Sequence, residues 1–321
     1  MHKKFNIDFV AHRKIYFIIS IVLIAVSILS TFVFGADLDI QFKGGTILTY
    51  VYDGEINVDE FVNTAKDIIG GAGINYTTGT DFTTGKNNIQ LSLISNEGLS
   101  SDKQFELTNT LTENYADNNI DLIESSDVSP SSGKEFFLKC IVAVAFSAIV
   151  LIIYIAIRFK NIGGWIAGLC AVIALLHDCV IVYGSFIILG MSINANFMAV
   201  ILTILGYSIN DTIVIYDRVR ENDKLYRGKK GRTEIVNMSI NQSLTRSINT
   251  SITTIFAMLA VTVVAAIYNV TSIISFSLPM MIGMTVGTYS SVCIAAPLWT
   301  FFEEIKDKNK AEKSIHKPKQ A

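Results

Sequence analysis

Long apolar runs separated by short polar segments fill most of this chain and predict a membrane protein. A helix of about 20 apolar residues crosses the hydrocarbon of a bilayer, and the uncharged runs of this sequence reach that length. We place six transmembrane helices near residues 15–34, 136–157, 162–189, 193–216, 248–268 and 273–302. The pattern therefore divides the chain into a first helix with its cytoplasmic N-terminus (1–34), a segment without such runs (35–133), five further helices (134–302) and a basic cytoplasmic tail (303–321).

The segment 35–133 alternates strand and helix patterns. We predict strands at Asp39–Tyr52, Asn75–Thr78, Ile89–Ile94 and Ile120–Ile123, with helices at Val58–Ile69 and Ser101–Tyr115. The order β-α-β-β-α-β is typical of a ferredoxin-like α+β domain. Residues 129–133, Ser-Pro-Ser-Ser-Gly, predict a turn-rich linker to the second transmembrane helix. The segment contains no paired catalytic histidines, no Gly-rich phosphate loop and no nucleophile motif, so we do not expect an enzyme.

The distribution of charge predicts which parts lie on which side of the membrane. Half of the residues are hydrophobic and only 17% are charged, which is rare in a soluble protein. Residues 35–133 hold four lysines and no arginine against sixteen acidic residues, whereas basic residues collect before residue 15, between Arg218 and Arg232, and after Lys306. Short basic loops mark the cytoplasmic side. We therefore predict an α-helical polytopic membrane protein with both termini in the cytoplasm and an exported α+β ferredoxin-like domain between helices 1 and 2.

The charged segments, the first apolar run and the cysteines can be explained by a membrane protein of this topology. The basic loops follow from this topology, so no nucleic-acid partner is needed. The acidic residues of the exported segment indicate a solvated face or, alternatively, a binding surface. The first apolar run is longer than the core of about 7–15 residues found in cleaved signal peptides, and we expect it to be retained. The four cysteines all lie in apolar runs without metal-ligand spacing or a disulfide framework, so we predict neither a metal nor a cofactor.

One carboxylate lies inside the fourth apolar run. Asp211 precedes the charged edge of that run, at Asp217, by six residues, or roughly 9 Å along a helix. A charged side chain at such depth costs at least about 2.5 kcal/mol, so Asp211 is expected to face protein or water and to have a partner. Tyr207 and Ser208 share its helical face, and Asn210 is adjacent in sequence.

The fifth run provides a candidate partner. Arg246 lies near its cytoplasmic edge, and Asn249, Thr250, Thr253 and Thr254 follow at helical spacing as one polar stripe. Two interpretations remain open. The residues could form a static ion pair with Ser/Thr hydrogen bonds between helices, or a hydrated path that carries a titratable charge.

Two further patterns lie in the third and sixth runs. His177 and Asp178 form an ionisable pair midway along an apolar run, which is either a structural hydrogen-bonding pair or part of a proton relay. Gly283, Gly287 and Ser291 recur every four residues and predict the close approach of another helix. Pro279 and Pro297 bracket this small-residue stripe and predict a kink.

These motifs together resemble the SecF family, membrane subunits of the bacterial Sec translocase accessory complex. The similar stretches are Gly-Tyr-Ser-Ile-Asn-Asp-Thr at 206–212, Asp-Arg-Val-Arg-Glu-Asn at 217–222, Ser-Leu-Thr-Arg-Ser-Ile-Asn-Thr-Ser-Ile-Thr-Thr at 243–254, His177-Asp178, and Phe-Lys-Gly-Gly-Thr at 42–46. The resemblance covers nearly the whole chain except the tail beyond Lys306. Gln41 departs from the family pattern, which usually has an acid before the Phe-x-Gly-Gly-Thr loop.

The resemblance implies a member of the resistance-nodulation-division superfamily in the bacterial cell membrane. Such a subunit pairs with SecD and uses the proton gradient, or the sodium gradient, to promote late steps of preprotein translocation through the SecYEG channel. YajC is a further candidate partner, and the exported domain would contact translocating preproteins. Asp211 and Arg246 match the family's charge-transfer pair, and movement of Arg246 would switch Asp211 between proton-binding and proton-releasing states. The alternatives are a small-molecule or lipid exporter of the same superfamily and a non-conducting scaffold for the translocase.

Overall fold

The fold combines a bundle of long helices with a small antiparallel sheet. A computed structural model of the chain describes residues 7–70, 73–80, 85–94, 99–268 and 270–315. The helices are α1 (Arg13–Phe34), α2 (Ile40–Lys43), α3 (Val58–Ile69), α4 (Ser101–Asn114), α5 (Pro130–Arg158), α6 (Gly164–Ile188), α7 (Ala195–Tyr226), α8 (Arg232–Ile267), α9 (Thr271–Ser290) and α10 (Ala296–Ile315). The strands are β1 (Gly45–Tyr52), β2 (Ile74–Thr80), β3 (Asn87–Ile94) and β4 (Asp121–Val128).

Six helical segments in the described part of the chain are long and apolar enough to cross a membrane. They are α1, α5, α6, α7, α8 and a last segment, Thr271–Asp307, made of α9 and the first part of α10. The number and order of the apolar helices predicted from the sequence are confirmed. Several of them extend further than predicted; for example, α7 continues through the charged motif to Tyr226, and α8 already begins at Arg232. A helix satisfies its own backbone hydrogen bonds, so it can continue beyond the apolar segment.

The centre of the bundle consists of α6, α7 and α9. Most residues of α6 and α7 are buried, whereas α1, α5 and α8 expose large apolar side chains on their outer faces. Phe159, Tyr216 and Trp299 pack together near one end of the bundle, and Phe186 and Phe197 pack near the other. Polar side chains of the central helices therefore lie between two apolar layers.

The sheet has the strand order β2-β3-β1-β4, and all neighbouring strands are antiparallel. Leu48 of β1 lies opposite Leu91 of β3 in the register. Helices α3 and α4 cover one face, where Tyr50, Phe61 and Leu107 are fully buried. The element order β-α-β-β-α-β agrees with the prediction, since alternating apolar positions and glycine-rich turns are local signals.

Three boundaries predicted in this segment are wrong. The first strand begins at Gly45 rather than Asp39, because the Asp39 carboxylate accepts a hydrogen bond from Gln41 N at 2.9 Å and caps the short helix α2. The last strand runs on to Val128. The predicted linker 129–133 instead begins α5, since Ser129 caps that helix and Pro130 occupies its first turn, a favoured position for proline.

The segment after α1 connects the sheet to the helical bundle. The Gln41 side chain accepts a hydrogen bond from Ala195 N, at the first residue of α7, at 3.0 Å. Asp37 Oδ2 accepts from Asn75 Nδ2 and from Ser192 Oγ, both at 2.6 Å. Gln41 therefore contacts the start of the helix that carries Asp211.

Candidate functional site

The most buried carboxylate of the bundle is that of Asp178, on α6. Its side chain is 0% exposed. Oδ1 lies 3.0 Å from His177 Nδ1, and Oδ2 accepts hydrogen bonds from Ser208 Oγ of α7 at 2.8 Å and from Ser290 Oγ of α9 at 2.7 Å. Because its acceptors are used by three neighbours, Asp178 ties α6, α7 and α9 together.

His177 provides the other half of this pair. It is 4% exposed, and its ring centroid lies 6.2 Å from that of Tyr289. Nδ1 faces Asp178, whereas Nε2 has no hydrogen-bond partner among the described residues. The structure thus brings His177 and Asp178 into direct contact and gives Asp178 two partners, Ser208 and Ser290, from distant parts of the sequence.

Asp211 lies one turn after Ser208 on α7 and has a different environment. It is 4% exposed and accepts one long hydrogen bond, from Thr288 Oγ1 of α9 at 3.4 Å. Thr288 is hydrogen bonded to Ser251 of α8, which also accepts from the hydroxyl of Tyr207 at 3.3 Å. A chain of hydroxyl groups therefore leads from Tyr207 through Ser251 and Thr288 to the Asp211 carboxylate.

Arg246 lies on α8, the helix that faces Asp211. It lies in the neighbourhood of the Asp211 carboxylate, but among the described residues the two form no direct ion pair and Arg246 makes no hydrogen bond. Arg246 is exposed, while Asp211 is buried. Arg246 and Asp211 are therefore neighbours without direct contact. The Asp211 carboxylate belongs to the buried network of hydroxyl groups, and the Arg246 guanidinium lies outside it.

The other residues predicted on α7 and α8 lie mostly away from this network. Asn210, Asn249 and Thr253 are exposed, and Thr250 is half-buried. The Thr253 hydroxyl donates to the backbone of its own helix, to Asn249 O and Thr250 O. The polar stripe thus occupies the outer side of α8 rather than the side facing Asp211.

The buried polar residues of α8 are serines that the sequence analysis did not select. Ser239, Ser243, Ser247 and Ser251 are buried and recur every four residues. This spacing keeps side chains on one helical face, so it was a usable signal. Ser247 lies beside Asp211. Thr288 and Ser290 were also missed, although residues 288–291 form a run of hydroxyl-bearing side chains in an apolar helix.

The small residues of α9 lie directly against α7. A Cβ atom on Gly283 would come within 2.0 Å of Ile204 Cδ1, and one on Gly287 within 2.9 Å of Ser208 Cβ. Ser291 Oγ donates to Ser208 O at 3.0 Å and accepts from Thr212 Oγ1 at 2.9 Å. A turn of π-helix begins at Ser291 and ends at Ala295, and such turns are frequent at functional sites. The close approach of α9 brings its hydroxyl groups to both carboxylates.

Comparison with known proteins identifies the family. Residues 107–305 match the family model for the C-terminal region of protein export membrane proteins SecD and SecF. The chain belongs to the SecD/SecF family. The matched region contains all the polar residues of the bundle described above, so the site lies within the part of the chain that defines the family.

Individual members of the SecD/SecF family are similar over almost the whole chain. The protein translocase subunit SecF of Sebaldella termitidis is 33% identical over 94% of this chain and 94% of its own length. Those of Rickettsia bellii and Petrotoga mobilis are 33% and 32% identical over 94% and 91% of this chain, and 95% of each relative is covered. The resemblance to SecF inferred from the motifs is confirmed.

Two solved structures of SecDF share the fold. The crystal structure of SecDF from Thermus thermophilus, a translocon-associated membrane protein, has a TM-score of 0.79 at 28% identity over 95% of this chain. A SecDF structure in a super-membrane-facing form has a TM-score of 0.68 at 29% identity over 98% of this chain. This chain spans 40% of each solved chain.

Proposed function

We propose that this chain is the SecF subunit of a Sec translocase accessory complex and uses the proton or sodium gradient to promote late steps of preprotein translocation. Its relatives are named protein translocase subunit SecF. The solved SecDF chains are longer, and this chain spans 40% of them. The remainder of such an assembly is supplied here by a separate SecD protein, and the complex acts at the SecYEG channel, with YajC as a further partner.

The proposal rests on the contrast between Asp178 of α6 and Asp211 of α7, the two buried carboxylates in the centre of the bundle. Asp178 accepts hydrogen bonds from Ser208 and Ser290 and contacts His177, so its charge is held in place by fixed partners. Among the described residues, Asp211 accepts one hydrogen bond that meets the distance criterion, from Thr288 at 3.4 Å, and the hydroxyl group of Ser247 lies beside it. A carboxylate with free acceptor positions can bind and release a proton or a sodium ion without breaking a network. Asp211 is therefore the coupling residue, and Asp178 is a structural one.

Arg246 controls the charge of Asp211. The charge state of a buried carboxylate depends on its distance from the nearest cation, and Arg246 lies outside direct contact with Asp211. Movement of α8 that brings the guanidinium inward releases the proton, and movement outward allows Asp211 to bind one. Each elementary charge crossing the membrane yields about 2.3 kcal/mol per 100 mV, enough to bias such a movement.

The exposed polar residues of α7 and α8 provide the surface for SecD. Asn210, Arg246, Asn249 and Thr253 lie on the outside of helices that are otherwise apolar. Polar side chains in a membrane usually face protein or a water-filled cavity. SecD covers this surface, and the hydrated space between the subunits gives ions access to Asp211. The ferredoxin-like domain is exported, both termini are cytoplasmic, and the domain contacts emerging preprotein.

The substitution Asp211→Asn tests the proposal. It keeps the size of the side chain and removes its charge, so the protein should insert and bind SecD normally but lose gradient-dependent stimulation of export. The matched control is Asp217→Asn on the same helix, which breaks ion pairs with Arg158 and Arg220 and should retain stimulation. Full stimulation in Asp211→Asn would show that the chain is a scaffold.

A further inference from the structure

A basic cleft opens at the end of the bundle where α7 ends and α8 begins. It has two adjoining parts of about 550 and 350 Å³, which share Asn161, Ile162, Asp223 and Arg227. Seven basic residues and three acidic residues line it. The basic residues come from the α5–α6 turn, α7, the α7–α8 turn, α8 and α10. This excess of positive charge indicates an anionic ligand.

The acidic residues of the cleft are already neutralised by neighbours. Glu303 is 4% exposed and forms ion pairs with Arg232 at 2.6 Å and Lys306 at 3.3 Å. Arg232 also pairs with Asp307 at 3.3 Å, and Asp223 pairs with Arg227. Lys160 and Lys224, by contrast, are exposed and make no ion pair or hydrogen bond within the described residues. Two uncompensated ammonium groups therefore remain for a ligand.

Trp299 gives a second, independent indication of a ligand. It lines the larger part of the cleft and is 2% exposed. Its Nε1–H has no hydrogen-bond partner among the residues that the structure describes. A buried N–H group without a partner is destabilising, and an oxygen atom of an anion bound in the cleft would accept from it.

The position of the cleft favours a lipid over a soluble anion. Gly163 lines it, and Trp165, two residues later at the start of α6, is 69% exposed. Exposed tryptophans at the ends of transmembrane helices lie at the level of the lipid headgroups. Basic pockets between transmembrane helices on the cytoplasmic side bind anionic headgroups.

We propose that this basic cleft binds the headgroup phosphate of an anionic phospholipid such as phosphatidylglycerol. In the larger part of the cleft, Lys160 contacts the phosphate oxygens at the rim and the indole of Trp299 donates to one of them from inside. Lys224 adds positive charge from the adjoining smaller part. The site is separate from the Asp211 network and does not depend on ion coupling. Its occupant links the turn before α6 to α7 and α10 at the membrane surface.

Tryptophan fluorescence of the full chain tests the proposal. The sequence contains two tryptophans, so Trp165→Phe leaves Trp299 as the reporter. In phosphatidylcholine nanodiscs, its emission should change and saturate as phosphatidylglycerol is added. Lys160→Gln with Lys224→Gln should raise the half-saturating phosphatidylglycerol fraction at least about fivefold, since each basic contact to an anionic surface contributes appreciably.

The matched control removes two positive charges elsewhere at the same end of the bundle. Lys14 and Lys229 are exposed and do not line the cleft, so Lys14→Gln with Lys229→Gln should leave the titration unchanged. Equal shifts in both double variants would overturn the proposal, because they would reflect overall charge. A fluorescence change that inorganic phosphate alone saturates in phosphatidylcholine nanodiscs would assign the cleft to a soluble anion and also overturn it.

Discussion

Gly287 of α9 lies so close to Ser208 of α7 that a methyl group on the glycine would come within 2.9 Å of the serine Cβ. At the same point, the Ser208 hydroxyl donates to Asp178 at 2.8 Å. The absence of a side chain at one position therefore allows a hydrogen bond between two other helices. Packing and polar contacts of the bundle are coupled at this crossing.

Alanine at Gly283 or Gly287 should destabilise the bundle. The added methyl group would overlap with Ile204 or Ser208, and overpacking typically costs about 1–3 kcal/mol. Thermal unfolding of the purified chain in detergent measures the effect. The matched control is Gly206→Ala on α7, where an added Cβ meets nothing within 4 Å; its stability should be unchanged or higher. Equal stability of Gly287→Ala and wild type would contradict the close crossing.

Loss of the hydroxyl groups around Asp178 should reduce stability more than it reduces transport. Ser208→Ala and Ser290→Ala each remove one hydrogen bond to the carboxylate, and hydrogen bonds between membrane helices contribute about 0.6–2 kcal/mol. Thermal unfolding and an export assay on the same variants separate the two effects.

The control for these serines is Thr203→Ala, whose hydroxyl donates to Ala199 O of its own helix and should matter little. Export by the folded fraction of Ser208→Ala should equal that of wild type. A variant with normal unfolding temperature and no export would instead make Asp178 part of the ion path.

Arg246→Lys should impair gradient-dependent export nearly as much as loss of Asp211. Lysine keeps a positive charge but lacks the planar guanidinium and its fixed set of donors. The exchange variant, with arginine at 211 and aspartate at 246, keeps both charges and should remain inactive, because the titratable group then lies on the exposed side. Export restored by the exchange would mean that the two residues act as a structural pair only.

The segment that contains the sheet should fold by itself as residues 36–133. Its core is formed within the segment, by Tyr50, Phe61, Leu91 and Leu107 among others. Circular dichroism should show mixed α/β structure. A disordered or aggregated fragment at neutral pH would place the domain boundary elsewhere.

The stability of this fragment should fall in acid. Lys86 donates a hydrogen bond to the Asp53 carboxylate at 3.0 Å and Asn119 donates at 3.2 Å, and they hold the pKa of Asp53 below its usual value. A lowered pKa stabilises the folded state above the unfolded value of about 3.9, and this stabilisation is lost as the pH falls through the folded-state pKa. Asp53→Asn should weaken the dependence of unfolding temperature on pH in that range.

Thiol labelling in intact cells tests the topology. Single cysteines at Glu55 and Asp117, both exposed on the sheet domain, should react with membrane-impermeant reagents in a variant without the native cysteines. A cysteine at Lys229, exposed in the turn between α7 and α8, should react only after the cells are opened. Labelling at position 229 in intact cells would contradict the predicted cytoplasmic location of this turn.

The sequence by itself determined which segments are helices and strands. Apolar length defined the six long helices, and alternation of apolar residues defined the sheet, because both signals are local. It also predicted that Asp211 faces protein or water and that Asp178 belongs to an ionisable pair, since a charged side chain within an apolar helix is costly without such surroundings. The motifs sufficed to indicate the family.

Only the tertiary structure decided which side chains meet. The spacing of polar residues in α8 shows two polar faces, one with the buried serines and one with Asn249 and Thr253. It does not show which of these faces turns toward α7. Packing placed the serines inside and left Asn249 and Thr253 outside. The partners of Asp178 come from α7 and α9, far along the chain, and Arg246 remained outside contact with Asp211. These relations depend on the rotation and separation of whole helices, which are fixed where Gly283 and Gly287 let α9 approach α7, and no local pattern carries that information.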